Sequence, residues 1–248
     1  MRILNLPPIE EIQSQNQQTT PHSKQRTDEW FKKRLGLFTG SEIHKLMSCS
    51  RSTARMEWGR PEKLVDFGET AKKYIFAKAK ERQRGKVVKM PTTAAMIYGT
   101  ENEETVKKML DFEINEVSFK EFLPGVAGSS PDGYVEEGSF GLEIKCATGW
   151  DGLYDRHENN VDQKHKDFWQ LQSEMLSLNV NKMLYVVAEP SEDIFDPEIT
   201  DLSMMWVHAS KIHQQAIIER SKIGDKVIKE WIKNDGKKNI TDCLMNII

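Results

Sequence analysis

The chain has 248 residues, of which 38% are hydrophobic and 29% charged, a balance that excludes collagen-like, coiled-coil and wholly disordered chains. Its formal net charge of −3 argues against a nucleic-acid binder that is recognised by overall basicity. The three cysteines, Cys49, Cys146 and Cys243, are too widely spaced for a disulfide framework or a Cys-x-x-Cys site, and they favour a reducing, cytoplasmic compartment. The longest strongly apolar run, Met183 to Ala188, is far shorter than the roughly 20 residues of a membrane span, so no membrane partner is expected.

The first part of the chain predicts an arm followed by helices. Residues 1–26 are rich in Gln, Thr, Ser and Pro with little apolar periodicity, and they predict an extended or poorly ordered arm. We expect residues 27–248 to form a single domain. Apolar positions from Thr27 to Met47 predict two helices joined by a short link, and residues 48–62 predict a loop.

The second part changes from helical to strand periodicity. Residues from Thr92 to Phe112 predict one helix, or two short helices broken near Gly99. Four short segments bounded by glycines and prolines then predict a strand meander: Val117–Leu123, Val126–Ala127, Gly133–Val135 and Leu142–Cys146. A helix, a strand, an acidic loop, a second strand and a long helix follow at Phe168–Leu178, Met183–Ala188, Glu189–Asp201, Leu202–His208 and Ser210–Asn234. This order predicts an α/β (α+β) fold in which helices flank a central mixed β-sheet.

One short region carries side chains suited to the hydrolysis of phosphodiesters. Glu143 and Lys145 lie two residues apart in a predicted strand, so they point to the same face, and the residues that alternate with them are apolar. Asp132 lies at the preceding turn and reaches that face if the intervening segment folds back as a hairpin. Two carboxylates suit Mg²⁺ or Mn²⁺, which bind through one or two carboxylates, several waters and a substrate phosphate. The lysine can then position, or help to deprotonate, a water that the metal polarises.

Pro131-Asp132 followed by Glu143-Ile144-Lys145 resembles the PD-(D/E)XK nuclease signature. The surrounding sequence, from about Trp30 to Val187, is similar to the bacteriophage lambda exonuclease and YqaJ-type viral recombinase family. Further motifs match in the same order along the chain, at Trp30–Gly36 with Thr39–Glu42, at Gly99–Glu103, at Ser130–Gly133 and at Gln170–Gln172. The resemblance implies a PD-(D/E)XK restriction-endonuclease-like core.

The resemblance also gives each matching residue a role. It implies a metal site formed by the carboxylates of Asp132 and Glu143 and the backbone carbonyl of Ile144. Lys145 would orient the attacking water, and Glu103 would contact a second metal or its water. Gln170 would support the lysine and the substrate.

A second implied site holds the 5′-terminal phosphate of the substrate. Arg34, Ser41 and Ser130 match the family's phosphate-binding positions, which implies processive digestion from 5′ to 3′. Arginine suits this task because its guanidinium offers several donors to one phosphate. Asp151 occupies the position of a further phosphate-binding arginine, which leaves open whether Arg156 replaces it.

The stretch from Ala71 to Met90 holds eight basic residues against Glu81 alone. Within it, Lys78, Lys80 and Arg82 are candidates for contacts with the DNA backbone, which are independent of base sequence. A solvated basic face or a mobile loop is the alternative interpretation.

Together these assignments predict a Mg²⁺- or Mn²⁺-dependent deoxyribonuclease that digests the 5′ strand at the ends of linear double-stranded DNA. The product would be a 3′ single-stranded tail for recombination of the phage type. The resemblance further implies a homotrimer and cooperation with a single-strand annealing protein. Three alternatives stay open: an endonuclease of restriction or repair type on the same site, a catalytically idle DNA-binding module, and a protein-interaction domain.

Overall fold

A computed structural model describes residues 27–87, 93–146, 161–190 and 199–248 of the chain. The strands are β1 Phe38–Thr39, β2 Lys120–Leu123, β3 Ala127–Ser129, β4 Gly133–Val135, β5 Phe140–Cys146, β6 Lys182–Pro190 and β7 Ile199–His208. The α-helices are α1 Asp28–Lys33, α2 Ile43–Leu46, α3 Pro61–Val65, α4 Glu69–Arg84, α5 Ala94–Met109, α6 Lys166–Leu178, α7 Lys211–Lys233 and α8 Ile240–Met245. A 3₁₀ turn, Gly40–Glu42, joins β1 to α2.

The strands form two sheets. The main sheet has the order β4-β5-β6-β7, with β5 and β6 parallel and the other two pairs antiparallel, so the predicted mixed sheet is confirmed. The smaller sheet has the order β1-β3-β2, and β1 runs parallel to β3. The predicted strand meander is therefore divided between two sheets at the turn that contains Asp132.

The two faces of the main sheet pack against different helices. Leu142 and Ile144 of β5 belong to a small core with Val106 and Leu110, on and just beyond α5. The opposite face of β6 belongs to the main core, which also includes apolar residues of α4, α6 and α7. Because side chains alternate along a strand, Glu143 and Lys145 point toward α6.

Two helices begin at threonine side-chain caps. Thr27 Oγ1 accepts a hydrogen bond from the backbone N–H of Trp30 at the start of α1, and Thr93 Oγ1 accepts one from Met96 at the start of α5. Helix α6 ends at Asn179, whose φ of 59° is the left-handed conformation that asparagine tolerates best after glycine. The α5 helix continues through Gly99, so the alternative of two short helices is wrong.

The acidic segment from Glu189 to Asp201 is not a loop throughout. Its ends extend β6 and β7, with Glu189 opposite Asp201 and Pro190 opposite Ile199 in the ladder. The prediction was wrong at these ends because it was based on local acidic composition. Pairing with the neighbouring strand decides the structure there. No helix in the described ranges is both long and apolar enough to cross a bilayer.

Candidate active site

The turn before β4 brings Asp132 against β5. The backbone N–H of Asp132 donates to the carbonyl of Leu142 across 3.1 Å, and the backbone N–H of Ile144 donates to Asp132 Oδ2 across 2.8 Å. The chain can make this approach because residue 133 is glycine: a Cβ there would lie 2.3 Å from Cγ2 of Ile114. The hairpin thus places the carboxylate of Asp132 beside the strand that carries Glu143.

Glu143, Lys145 and Gln170 form a connected network between β5 and α6. Lys145 Nζ donates to Glu143 Oε1 across 2.6 Å and to Gln170 Oε1 across 3.1 Å. The amide nitrogen of Gln170 donates to the same Glu143 oxygen. The side chain of Glu143 is 3% exposed, so the charged face of β5 is packed against a helix rather than solvated.

The electrostatic setting keeps Lys145 protonated. Burial alone would lower its pKa, but the nearby carboxylates of Glu143, Asp167 and Asp132 outweigh burial and raise it. An ammonium with three N–H donors can orient a water or a phosphate oxygen, whereas it cannot accept a proton.

Asp132 and Glu143 make a donor set that fits a divalent cation. Burial, and then the charge of Glu143, raise the pKa of Asp132 to about 7. Glu143 Oε2 is buried and has no hydrogen-bond partner among the described residues. A cation between the carboxylates would relieve both their repulsion and this unsatisfied oxygen. Nowhere in the described ranges do three His, Cys, Asp or Glu side chains form a metal-binding group, so two carboxylates, the Ile144 carbonyl and water are the ligands available here, a set typical of Mg²⁺.

Glu103 lies on α5 within electrostatic range of Asp132. Its carboxylate accepts a hydrogen bond from Lys107 Nζ across 2.7 Å, one helical turn further along. Burial and the charge of Asp132 raise the pKa of Glu103 despite that ion pair. The structure therefore brings Glu103 to the edge of the site but engages it with Lys107.

The sequence reasoning missed Glu174. This carboxylate is 1% exposed, and its Oε1 accepts a hydrogen bond from Gln170 Nε2 across 2.8 Å. Burial and the charge of Glu143 raise the pKa of Glu174 well above its usual range. The spacing of four residues from Gln170 on one helix was the available signal. Gln172, by contrast, bonds the backbones of His208 and Ser210 and lies outside the network.

The predicted phosphate-binding residues lie near the end of the β1·β3 pair, where Arg34 contacts Ser41 and Ser130 follows β3. These strands run parallel with Thr39 opposite Gly128, so the chain continues from both into Ser41 and Ser130 at one edge. Arg34 Nη2 donates to Ser41 Oγ across 3.4 Å. Ser130 Oγ is buried and has no hydrogen-bond partner within the part of the chain that the structure describes.

The guanidinium of Arg34 is held by stacking and remains charged. Its central carbon lies 3.9 Å from the centre of the Trp30 ring. Burial lowers the pKa of Arg34 to about 10, which still leaves the side chain protonated at neutral pH. The cluster of Arg34, Ser41 and Ser130 is referred to below as the phosphate pocket.

The three basic candidates on α4 have different surroundings. Lys78 is 5% exposed and pairs with Glu81 across 3.2 Å. Arg82 Nη1 donates to Asp225 across 2.6 Å, and its Nε donates to the carbonyl of Gly36. The expectation that these two side chains offer their charge to DNA is therefore not supported, because each is engaged inside the protein. Lys80 is half-buried, and its Nζ lies 4.7 Å from the centre of a Trp231 ring.

Part of the predicted site lies outside the described residues. Asp151 and Arg156 fall in the segment 147–160, and Lys89 falls in 88–92. The predicted arm, 1–26, also lies outside them.

Known proteins resemble the chain in both sequence and fold. A family model of the YqaJ-like viral recombinase domain matches residues 29–180, which is more than half of the chain. No sequence among the curated proteins matches. Two crystal structures of the alkaline exonuclease LHK-Exo from Laribacter hongkongensis, one in complex with dAMP, have a TM-score of 0.65 and 19% identity over 84% of this chain and 97% of that chain. A phage related exonuclease from Haemophilus somnus 129PT has a TM-score of 0.60 and 15% identity over 80% of this chain and 96% of its own.

The structural similarities confirm the predicted α/β (α+β) fold with a mixed sheet flanked by helices, and the family model confirms the predicted YqaJ-type family. The family match covers the hairpin, the network on β5 and α6, and the phosphate pocket. The chain belongs to the family of the YqaJ-like viral recombinase domain.

Proposed function

We propose that the protein is a Mg²⁺-dependent exonuclease that digests the 5′ strand of linear double-stranded DNA and leaves a 3′ single-stranded tail. The observation that carries the proposal is the convergence of Asp132, Glu143 and Lys145 at β5, where Glu143 is buried and the other two are half-buried. Burial and the charge of Glu143 raise the pKa of Asp132 there, and the ammonium of Lys145 lies beside Glu143. A binding module gains nothing from buried carboxylates near a phosphate, whereas a metal-dependent nuclease requires them.

In this proposal each group of the site has its own role. Asp132, Glu143 and the Ile144 carbonyl hold the ion, which when bound polarises a water and offsets charge on the scissile phosphate. Lys145, kept protonated by its neighbours, orients the water, and Gln170 fixes the lysine. Glu103, at the edge of the site, would help to hold a second metal ion or its water.

The phosphate pocket supports the 5′ polarity. Arg34 offers a charged donor fork, Ser41 a hydroxyl, and Ser130 a buried hydroxyl with no partner among the described residues. A terminal phosphate could satisfy all three groups and would thereby place the first phosphodiester at a fixed distance from Asp132. The complex of LHK-Exo with dAMP supports the proposal, because a mononucleotide is what an exonuclease releases. Family membership supports a homotrimer and a single-strand annealing partner as further parts of it.

The test uses linear duplexes labelled at the 5′ or the 3′ end, with and without a 5′ phosphate, beside covalently closed circles. We expect release of the 5′ label as mononucleotide, faster digestion of phosphorylated ends, and no loss of closed circles. Cleavage of closed circles at the linear rate would instead assign an endonuclease to the same site.

A further inference from the structure

Glu174 has an unusual position for an acidic residue. It is 1% exposed, it lies one helical turn beyond Gln170, and no family motif that the sequence suggests includes it. Its Oε1 accepts from Gln170, while its Oε2 is buried with no hydrogen-bond partner in the described ranges. Burying a carboxyl group with one unsatisfied oxygen costs folding free energy. An apolar side chain of similar size would fit the fold at lower cost.

The orientation of the Gln170 amide shows what this carboxyl group does. A glutamine amide has one acceptor oxygen and two N–H donors. The oxygen accepts from Lys145, and the two hydrogens are directed to Glu143 and Glu174. The reversed amide would direct its N–H groups at the ammonium and its oxygen at two carboxyl groups. The contacts with the ammonium of Lys145 and with the carboxylate of Glu143 would then be repulsive.

Without Glu174, one buried N–H of Gln170 would lose its acceptor. A buried donor left unsatisfied costs enough free energy to favour other amide orientations or rotamers. Gln170 would then hold Lys145 and Glu143 less firmly, although it touches both. The contact with Glu174 runs along one helix at i and i+4, so it needs no further element to fix its geometry.

We propose that Glu174 is a positioning residue of this site, which holds Gln170 in the orientation that aligns Lys145 and Glu143. The inference rests on the proposed nuclease function. The role needs an acceptor oxygen at position 174 and does not need a negative charge. Glu174→Gln retains such an oxygen, and Glu174→Met removes it while filling similar space.

The experiment compares these two variants with the full chain by three measurements: Mn²⁺ affinity by calorimetry, kcat on linear duplex, and thermal unfolding. For Glu174→Met we expect kcat and Mn²⁺ affinity to fall about 10- to 100-fold, the range typical of residues that orient metal ligands. Its Tm should stay close to that of the unmodified chain, because removal of a buried carboxyl group with an unsatisfied oxygen offsets the loss of the acceptor for Gln170. Glu174→Gln should stay within about 3-fold in both properties.

Gln172→Met is the matched control on the same helix, since Gln172 bonds only backbone groups outside the network. It should lower Tm without changing kcat per folded molecule. Wild-type kcat and Mn²⁺ affinity in Glu174→Met would overturn the inference, as would a Glu174→Gln variant as impaired as Glu174→Met. A chain that binds Mn²⁺ but never cleaves DNA would overturn the proposed function alone, because the relative Mn²⁺ affinities would still test the role of Glu174.

Discussion

The backbone N–H of Ile144 donates to Oδ2 of Asp132 across 2.8 Å, so a main-chain group of the strand fixes the carboxylate of the preceding turn. Glu143 is the adjacent residue on that strand, and its own carboxylate is fixed by Lys145 and Gln170. Both acidic groups are thus held in place before any ligand binds. Preorganisation of this kind lowers the cost of binding a cation between them.

Replacing Asp132 should change how stability depends on pH. Its pKa of about 7 in the folded chain exceeds the usual value near 3.8, so the folded state holds a proton that the unfolded state releases between those pH values. The stability of the metal-free protein should therefore fall as pH rises from about 4 to 7. Asp132→Asn should remove this loss. In EDTA, we expect the Tm of Asp132→Asn minus that of wild type to be larger at pH 8 than at pH 5.

The control is Asp111→Asn, an exposed position outside the site. Its Tm difference from wild type should not vary with pH. A constant difference for Asp132→Asn over the same pH range would contradict the raised pKa.

Removing the ammonium of Lys145 should separate catalysis from binding. Lys145→Ala deletes the donor that lies 2.6 Å from Glu143, and we expect cleavage to fall by about 100-fold or more. Duplex binding should stay within a few-fold, because phosphate contacts elsewhere supply most of the affinity. Lys164→Ala, at an exposed position, is the control for loss of one positive charge. Full activity in Lys145→Ala would dismiss the assignment of the site.

Arg34→Lys should weaken recognition of a 5′ phosphate while keeping the positive charge. Arginine has a planar set of N–H donors and stacks flat on the indole ring of Trp30. Lysine has neither property. We expect the ratio of kcat/KM for phosphorylated over unphosphorylated ends to fall by about 10-fold. Lys32→Met, on the exposed side of the same helix, should leave the ratio unchanged. An unchanged ratio in Arg34→Lys would exclude Arg34 from phosphate recognition.

The basic residues of α4 should respond differently to substitution. Arg82→Met removes hydrogen bonds to Asp225 and to the carbonyl of Gly36, so we expect the free energy of unfolding to fall by about 1–3 kcal/mol in urea titrations.

Lys80→Gln should leave the free energy of unfolding nearly unchanged. If Lys80 contacts the DNA backbone, this variant should reduce the slope of log affinity against log salt by about one. An identical slope would remove Lys80 from the proposed DNA surface.

Local patterns in the sequence predicted much of this structure. The alternation around Glu143 and Lys145 predicted a strand with one apolar face, and that face packs on α5. Proline and glycine around Asp132 predicted a turn before the strand of Glu143, and the hairpin on which the approach of Asp132 to that strand depends forms between β4 and β5. The amphipathic pattern of α6 was equally informative.

Burial and contacts between distant segments could not be predicted from such local patterns. Lys78 and Arg82 lie in one basic stretch, but Lys78 pairs with Glu81 three residues further along the same helix. Tertiary packing pairs Arg82 with Asp225, which lies 143 residues away. Glu174 resembles any polar residue of an amphipathic helix until β5 packs across it. Burial of charge is decided by the arrangement of elements, and a single sequence does not specify that arrangement locally.

The most direct test of the central claim is nucleotide release from uniformly labelled linear duplex by wild type and by Asp132→Asn, with Mg²⁺ and with EDTA. The account predicts release only by wild type with Mg²⁺, together with calorimetric Mg²⁺ binding that Asp132→Asn loses. Equal release in EDTA, or by Asp132→Asn, would contradict a metal site formed by Asp132 and Glu143.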